Sequence, residues 1–403
     1  MVQTRRVAAA VVAAVAMASS AQAISTSDRP AAIQVWPKVV VDSAGRFTQG
    51  VPVNTLITLS NTDHRGEKRA HCFYTNANGH CANNSAQVCR SATDCTASEC
   101  TPGWAEMDFD VYLTLEQPLG WYASDGLSRG AFPKEGPFFC NAPLTQVPCT
   151  TDAVCGGLGC NVGQSNLGSG IPPVPEDPFI GTLTCIQFTI GSQSSPDQTV
   201  DRNRLYGEAT ILQGGPVIGA APLPVDVAKY NAVGFRGQGV NFDPTNTFQL
   251  GGAGAEYDGC ASTLILSHLF DGAIDPISNT RPASTDLTLV PCGNNFSSQI
   301  PGRTTAQFLV FNEFEQRFST SRSIDCLFDG AISTIDTRNT ARSIFSAGVA
   351  GTISGQTRIR GVGGNATGYG LIGTAQLSLG SGSSAAYNLH QQGVGGTDFI
   401  IIP

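Results

Sequence analysis

Short runs rich in Val, Ile, Thr and Phe recur along the chain, bounded by Gly, Asn, Asp and Pro. Almost nowhere does an apolar pattern hold the 3.6-residue period of a helix. The strands this predicts are Ile33–Val41, Leu56–Ser60, Met107–Leu115, Leu183–Ile190 and Glu208–Leu212. Further on come Thr263–Ser267, Asp286–Val290, Ala306–Phe311, Gly373–Leu379 and Asp398–Ile402. With 46 glycines and 23 prolines, few stretches escape a breaker for three helical turns. The expected class is all-β, with two β-sandwich-like domains.

The chain opens as an export signal. Arg5-Arg6 precedes a short apolar run, Val7 to Met17, and Ala21-Gln22-Ala23 has the small-x-small form of a cleavage site. Residues 1–23 are therefore expected to be removed. No later apolar run reaches the ~18 residues of a membrane helix, so the mature chain is not expected to insert. The first domain is expected over 24–250, a flexible Gly-rich linker over 251–259, and the second domain over 260–403. The ends of the two halves look alike. Gly207-Glu208-Ala209-Thr210 leads to Lys229-Tyr230-Asn231, and Gly373-Thr374-Ala375-Gln376 leads to Ala386-Tyr387-Asn388. Leu183–Phe188, holding Cys185, resembles Ser323–Phe328, holding Cys326. The run Leu-Phe-Asp-Gly-Ala-Ile occurs at both 269–274 and 327–332, and its Asp-Gly reads as a repeated hairpin turn.

Thirteen cysteines change this picture. Cys81, Cys89, Cys95 and Cys100 are separated by seven, five and four residues; Cys140, Cys149, Cys155 and Cys160 by eight, five and four. Gln87-Val88-Cys89 is answered by Gln146-Val147-Pro148-Cys149, and Thr-Asp precedes the third cysteine of each quartet. Two four-cysteine modules thus make a disulfide-rich excursion, residues 72–178, that interrupts the first domain. Modules of ~20 residues bury too little apolar surface to fold without bridges. Each quartet is expected to close on itself, in any of three patterns. Cys72 is expected to bond Cys185 and Cys292 to bond Cys326, which leaves Cys260 unpaired. No C-x-x-C occurs, which excludes zinc ribbons, thioredoxin-like pairs and c-type haem attachment.

The formal charge is −8, and loss of Arg5 and Arg6 takes it to −10, with only four lysines. That excludes a typical nucleic-acid binder or anionic-membrane binder.

Candidate chemistry is sparse. Glu106, Asp108 and Asp110 alternate with Met107, Phe109 and Val111, so a strand places the three carboxylates on one face. Their repulsion favours a cation such as Ca²⁺ or a basic partner, against the simpler reading of a solvated face. His71-Cys72 and His80-Cys81 suggest a metal, but oxidised cysteines are poor zinc ligands. Gly126-Leu127-Ser128-Arg129-Gly130 matches the serine-hydrolase pattern without the strand-to-helix setting, and His268 or His390 would have to be its base. Trp36, Trp104, Trp121 and Tyr122 are candidate sugar-stacking rings, against the simpler reading of core or hinge packing. Asn83, Asn295 and Asn365 stand in N-x-S/T sequons.

The quartets, with Thr55–Asn61 leading to Ala70-His71-Cys72-Phe73-Tyr74, resemble uncharacterised exported β proteins of Gram-negative bacteria that carry short C-x5-C-x4-C modules. The resemblance spans roughly Val39 to Ile190. It implies export and a surface or extracellular role, and it brings no catalytic residue. The reading is an exported, non-catalytic structural or interaction protein that binds a surface partner or itself; the strand Asp398–Ile402 is expected to close its own sheet, with an edge offered to a neighbour as the alternative. A carbohydrate- or Ca²⁺-binding module is the alternative, and a secreted hydrolase the second.

Overall fold

A computed structural model describes residues 24–48, 50–90, 92–101, 103–127, 138–140, 148–149, 160–162, 170–188, 203–214, 226–238, 245–274, 279, 282–379 and 383–403. The signal segment and Cys155 lie outside the described residues.

The chain is all-β, and its two halves repeat one plan. In the first half β1 is Ile33–Val41, β2 Val53–Asn61, β3 Lys68–Asn76, β4 Ala105–Leu113 and β5 Pro118–Tyr122. Then come β6 Phe179–Phe188, β7 Leu205–Gln213, β8 Asp226–Asn231, β9 Val233–Phe235 and β10 Thr247–Leu250. In the second half β11 is Ala261–Leu269, β12 Ser284–Pro291, β13 Arg303–Asn312, β14 Arg317–Asp325 and β15 Phe328–Ala331. They are followed by β16 Ser354–Val362, β17 Leu371–Leu379, β18 Ser383–Asn388, β19 His390–Val394 and β20 Asp398–Ile401.

The first sandwich pairs a sheet of order β9-β1-β6-β3-β4 with one of order β8-β7-β2-β5. The second pairs β19-β11-β16-β13-β14 with β18-β17-β12-β15. Adding ten to each strand number converts one into the other. The likeness seen at the strand ends is real at the level of register: Ala209 faces Tyr230 and Ala375 faces Tyr387. Both tyrosines also do the same work. The Tyr230 hydroxyl donates to the Lys38 carbonyl on β1, and the Tyr387 hydroxyl donates to the Ser267 carbonyl on β11 at 2.6 Å.

Alternation explains the layers. β2 and β7 bury every second residue, as strands with one wet face do. β1 is buried throughout because Trp36 and Val39 enter the first core while Ile33 and Val35 face the second half. Each sandwich has its own core, and a third apolar cluster lies between them. There Phe73 stacks on Phe296, ring centres 4.4 Å apart and planes 7° from parallel. The tenth strands close the contact. β20 pairs antiparallel with β10 and, on its other edge, parallel with Asn294–Asn295. The C-terminal strand therefore has a neighbour on both sides within its own chain.

Four expectations are corrected. The excursion 72–178 is two insertions, one between β3 and β4 and one between β5 and β6, because β4 and β5 belong to the sandwich. The glycine run 251–259 is a packed turn. Gly251 and Gly252 take φ of 65° and 82°, Gly251 N–H donates to the Tyr257 carbonyl at 3.1 Å, and Tyr257 is fully buried. Cys260 bonds Cys292, with Cα atoms 6.6 Å apart, and Cys326 is the free thiol. The expected Cys292–Cys326 bridge rested on likening Cys326 to Cys185. Cys185 lies within β6, whose counterpart is β16; Cys326 occupies the corner after β14 at φ 65°. Finally, the repeated hexapeptide is not a repeated turn. Residues 270–273 form one, with Gly272 at φ 81°, but Phe328–Ala331 is the edge strand β15.

The bridge between β3 and β6 and those of the first quartet fall within expectation. Cys72 and Cys185 face each other in register on β3 and β6, Cα atoms 4.0 Å apart. The first quartet closes as Cys81–Cys95 and Cys89–Cys100. In the second, Cys140 faces Cys160 across two short strands and Cys149 lies on a third.

Candidate functional site

β4 carries the acidic residues picked out by alternation. Phe109, Val111 and Leu113 enter the first core, and Glu106, Asp108 and Asp110 lie on the opposite face. The neighbouring strand β3 supplies the opposing charge. Asp110 bonds Arg69 at 2.7 Å and His71 Nδ1 at 2.9 Å, while His71 Nε2 stands 3.4 Å from Asp108. Burial works against the Asp110 charge, but His71 and Arg69 outweigh it and hold its pKa below the usual range. Glu106 is the exception: burial and then Asp108 push its pKa up, and its Oε2 is buried without a hydrogen-bond partner.

The three carboxylates do not meet at one point. Among the described residues, the donor sets that converge are Cys81, Cys89 and Cys95, and Cys260, Cys292 and Asp398. Every cysteine in them is already in a disulfide. The β4 face therefore fits an internal ion-pair network, with its basic partner in the same sheet, better than a calcium cage. His80 is likewise engaged, 3.0 Å from Glu176 Oε2; Glu176 also accepts from Asn76 at 2.7 Å and Asn78 at 2.6 Å.

A second charged cluster, invisible in the sequence, lies where the halves meet. β1 bulges between Trp36 and Val39, and from that bulge Lys38 reaches Asp329 of β15 at 2.8 Å. Both side chains are nearly enclosed. Thr288 donates to the same carboxylate oxygen at 2.5 Å, and Asp286 and Arg90 complete the charges around a cavity of about 440 Å³. Burial opposes the Lys38 charge, yet Asp329 and Asp286 together lift its pKa above the ordinary value. Burial also opposes the Asp329 charge, but Lys38 and Thr288 keep its pKa low. The neighbouring Asp286 is pushed up by burial. The first cysteine module takes part: Arg90 stacks on Phe47 at 4.8 Å, and Arg46, on the same ring at 4.9 Å, donates to the Val88 carbonyl. The cluster is an electrostatic lock between repeats. The sequence hid it by placing Lys38 in an apolar run and Asp329 in an apparent turn.

The proposed sugar-stacking rings divide sharply. Trp36 and Trp121 are core residues, and Trp104 stacks on Phe296 between the halves. Only Tyr122 shows its ring, 43% exposed, at a groove of about 730 Å³ that also presents Asp125, Asp177, Asn54 and Ser124 over a floor of valines and prolines.

Of the serine-hydrolase candidates, only the two histidines lie among the described residues. Ser128 lies outside them, after a turn in which Gly126 N–H donates to the Tyr122 carbonyl at 2.8 Å. His268 is sealed in the second core against Phe270 and Phe345, bonded to Thr357 at 2.8 Å, and burial holds its pKa down at about 4. His390 is exposed on β19. Compared with protein-family models and with curated proteins, the chain matches none.

Proposed function

We propose that this chain is an exported, non-catalytic structural or interaction protein that acts at or outside the cell surface after passing through the periplasm. One observation carries the reading. A ten-strand unit occurs twice, and its copies are locked together by a shared apolar cluster, the β10–β20 pair and the Lys38–Asp329 bridge. Such a body is built to hold surfaces in a fixed relation. The disulfides support export, since bridges of this density form and persist in oxidising compartments. No helix among the described residues is long and apolar enough to cross a membrane. Assembly through the C-terminal strand is not part of the reading, because β20 already has two neighbours.

The test is intact-mass analysis of the protein made with its leader, followed by light scattering with and without reductant. A chain starting at Ile24 with its paired cysteines oxidised and Cys326 as a free thiol is expected. An uncleaved, fully reduced protein that remains inside the cell overturns the proposal. The Tyr122 groove favours a second reading, a carbohydrate-binding module, because a flat exposed ring beside carboxylates and amides suits a sugar face and its hydroxyls.

A further inference from the structure

No described residue covers the outer face of the second five-stranded sheet, and its side chains form registered rows. Ser321, Gln307 and Arg360 make one row; Ser319, Leu309, Arg358, Ile265 and His390 make the next; Arg317, Phe311 and Gln356 make a third. The face frames a shallow depression of about 780 Å³. Arg317, Arg358 and Arg360 are exposed and form no ion pair among the described residues, and Arg358 lies over the Phe311 ring at 5.7 Å. These rows contain no carboxylate. The nearest acid on β14, Asp325 at the strand end, bonds Arg303. A protein with formal charge −8 thus concentrates unpaired guanidiniums on one open sheet face.

We propose that this face binds an acidic polysaccharide, a chain bearing uronate or sulfate groups. The inference rests on the extracellular interaction reading and names its partner. Arg358 and Arg360 are two apart on β16, so their forks project from one face about 7 Å apart. Guanidinium matches carboxylate and sulfate in bidentate geometry. Glutamine, serine and threonine around them suit sugar hydroxyls. An acidic protein fits less well: its affinity would need deep apolar anchors, and the face offers the half-buried Phe311 beneath Arg358, the half-buried Ile265 and the exposed Leu309, with no pocket among them deep enough to anchor one.

The test is affinity electrophoresis and titration of the mature, oxidised protein with polygalacturonate, dextran sulfate, neutral dextran and poly-glutamate. Binding to the two acidic glycans alone is expected, weakening as salt rises. Arg358→Ala with Arg360→Ala should lower affinity at least ~10-fold per arginine, and the double lysine variant should fall between. Equal affinity in the double alanine variant, binding to neutral dextran, or loss caused by Tyr122→Ala instead would overturn the proposal. So would capture by poly-glutamate alone, which would assign the face to an acidic protein. If no polyanion binds, the proposal fails while the reading as an exported interaction protein stands. That reading fails separately, on the mass and location of the chain.

Discussion

The same sheet appears twice in this molecule and is used in opposite ways. In the first repeat the outer face of β9-β1-β6-β3-β4 carries Ile33, Val35, Phe73, Ile186 and Phe188, all buried against the second half. In the second repeat the equivalent face of β19-β11-β16-β13-β14 carries Gln307, Leu309, Arg358 and Arg360, all exposed. β6 is buried at every position and β16 only at alternate ones, although both are the third strand of five. Topology therefore does not decide what a sheet face does. The choice of side chain on one parity does, and it assigns one face to internal cohesion and leaves the other exposed.

The comparison is broken most forcefully at the bridged strands. Cys72–Cys185 ties β3 to β6 across 113 residues of sequence, whereas their counterparts β13 and β16 meet with Phe308 opposite Ile359 and no bridge. The reason lies in the connections. The second repeat joins β13 to β14 through residues 313–316 and β15 to β16 through 332–353, where the first inserts a cysteine module at each point. Replacing both Cys72 and Cys185 by alanine should cost about 4–5 kcal/mol, as expected for so long a closed loop, measured from urea unfolding. A loss below about 1 kcal/mol would mean that the insertions do not burden the first repeat.

Removing the cover should cost nearly as much. Phe73→Ala deletes a fully buried ring stacked on Phe296 and should destabilise by about 3–5 kcal/mol. A single cooperative transition that splits into two in this variant would locate the damage between the repeats. Asp329→Ala strands the Lys38 ammonium and should also cost about 3–5 kcal/mol, while replacing both by apolar residues should restore most of it.

These groups fix the sign of the pH dependence. The folded pKa of Asp329 is depressed, so its contribution is complete above the ordinary carboxylate range and is lost as pH falls through the folded value. That of Lys38 is raised, so its contribution is present below the ordinary lysine range and lost as pH rises through the folded value. Asp398 has the opposite sign to Asp329. Burial raises its pKa to about 6, so stability should fall as pH climbs from the ordinary carboxylate range to that value. Burial raises Asp258 to about 6 as well, so Asp398→Asn should lessen the fall in melting temperature over that interval without abolishing it, and leave the Asp329 limb below it. A wild-type melting temperature that rises across the interval would refute the Asp398 assignment.

All ten strands expected from apolar alternation exist, and β1 matches residue for residue. Of the ten further strands that apolar alternation does not pick out, three make up most of the open face. β14 reads Arg-Phe-Ser-Thr-Ser-Arg-Ser-Ile-Asp, β16 Ser-Gly-Gln-Thr-Arg-Ile-Arg-Gly-Val and β19 His-Gln-Gln-Gly-Val, and none carries the apolar density by which strands are recognised. They fold as strands because neighbours supply the core. β16 needs only Thr357 and Ile359 inside, since β13 and β11 flank it. The cysteine pairing failed for a related reason. Cys326 and Cys185 share local letters, but letters do not say which strand of a repeat they occupy. The legible acids on β4 were placed correctly on one face, while the Lys38–Asp329 contact joins residues 291 positions apart, and no local pattern connects them.

The smallest expected effect is the most discriminating. Arg358 lies over the Phe311 ring, and Leu309 is 37% exposed beside it. If the second face is free in the isolated protein, Arg358→Ala, Arg360→Ala and Leu309→Ala should each change unfolding free energy by no more than about 0.5 kcal/mol. Removing one of two neighbouring guanidiniums also relieves like-charge repulsion, so the arginine variants should lie at the stabilising end of that range, and more so at low salt. A cost above about 1.5 kcal/mol would show that something covers this face in solution, as the first repeat's face is covered, and unfolding midpoints that rise with protein concentration would identify the cover as a second copy of the chain. Near-zero changes would leave the two faces as distinct as their side chains make them, and would let any loss of polyanion binding in the same variants be read as loss of contact with the ligand.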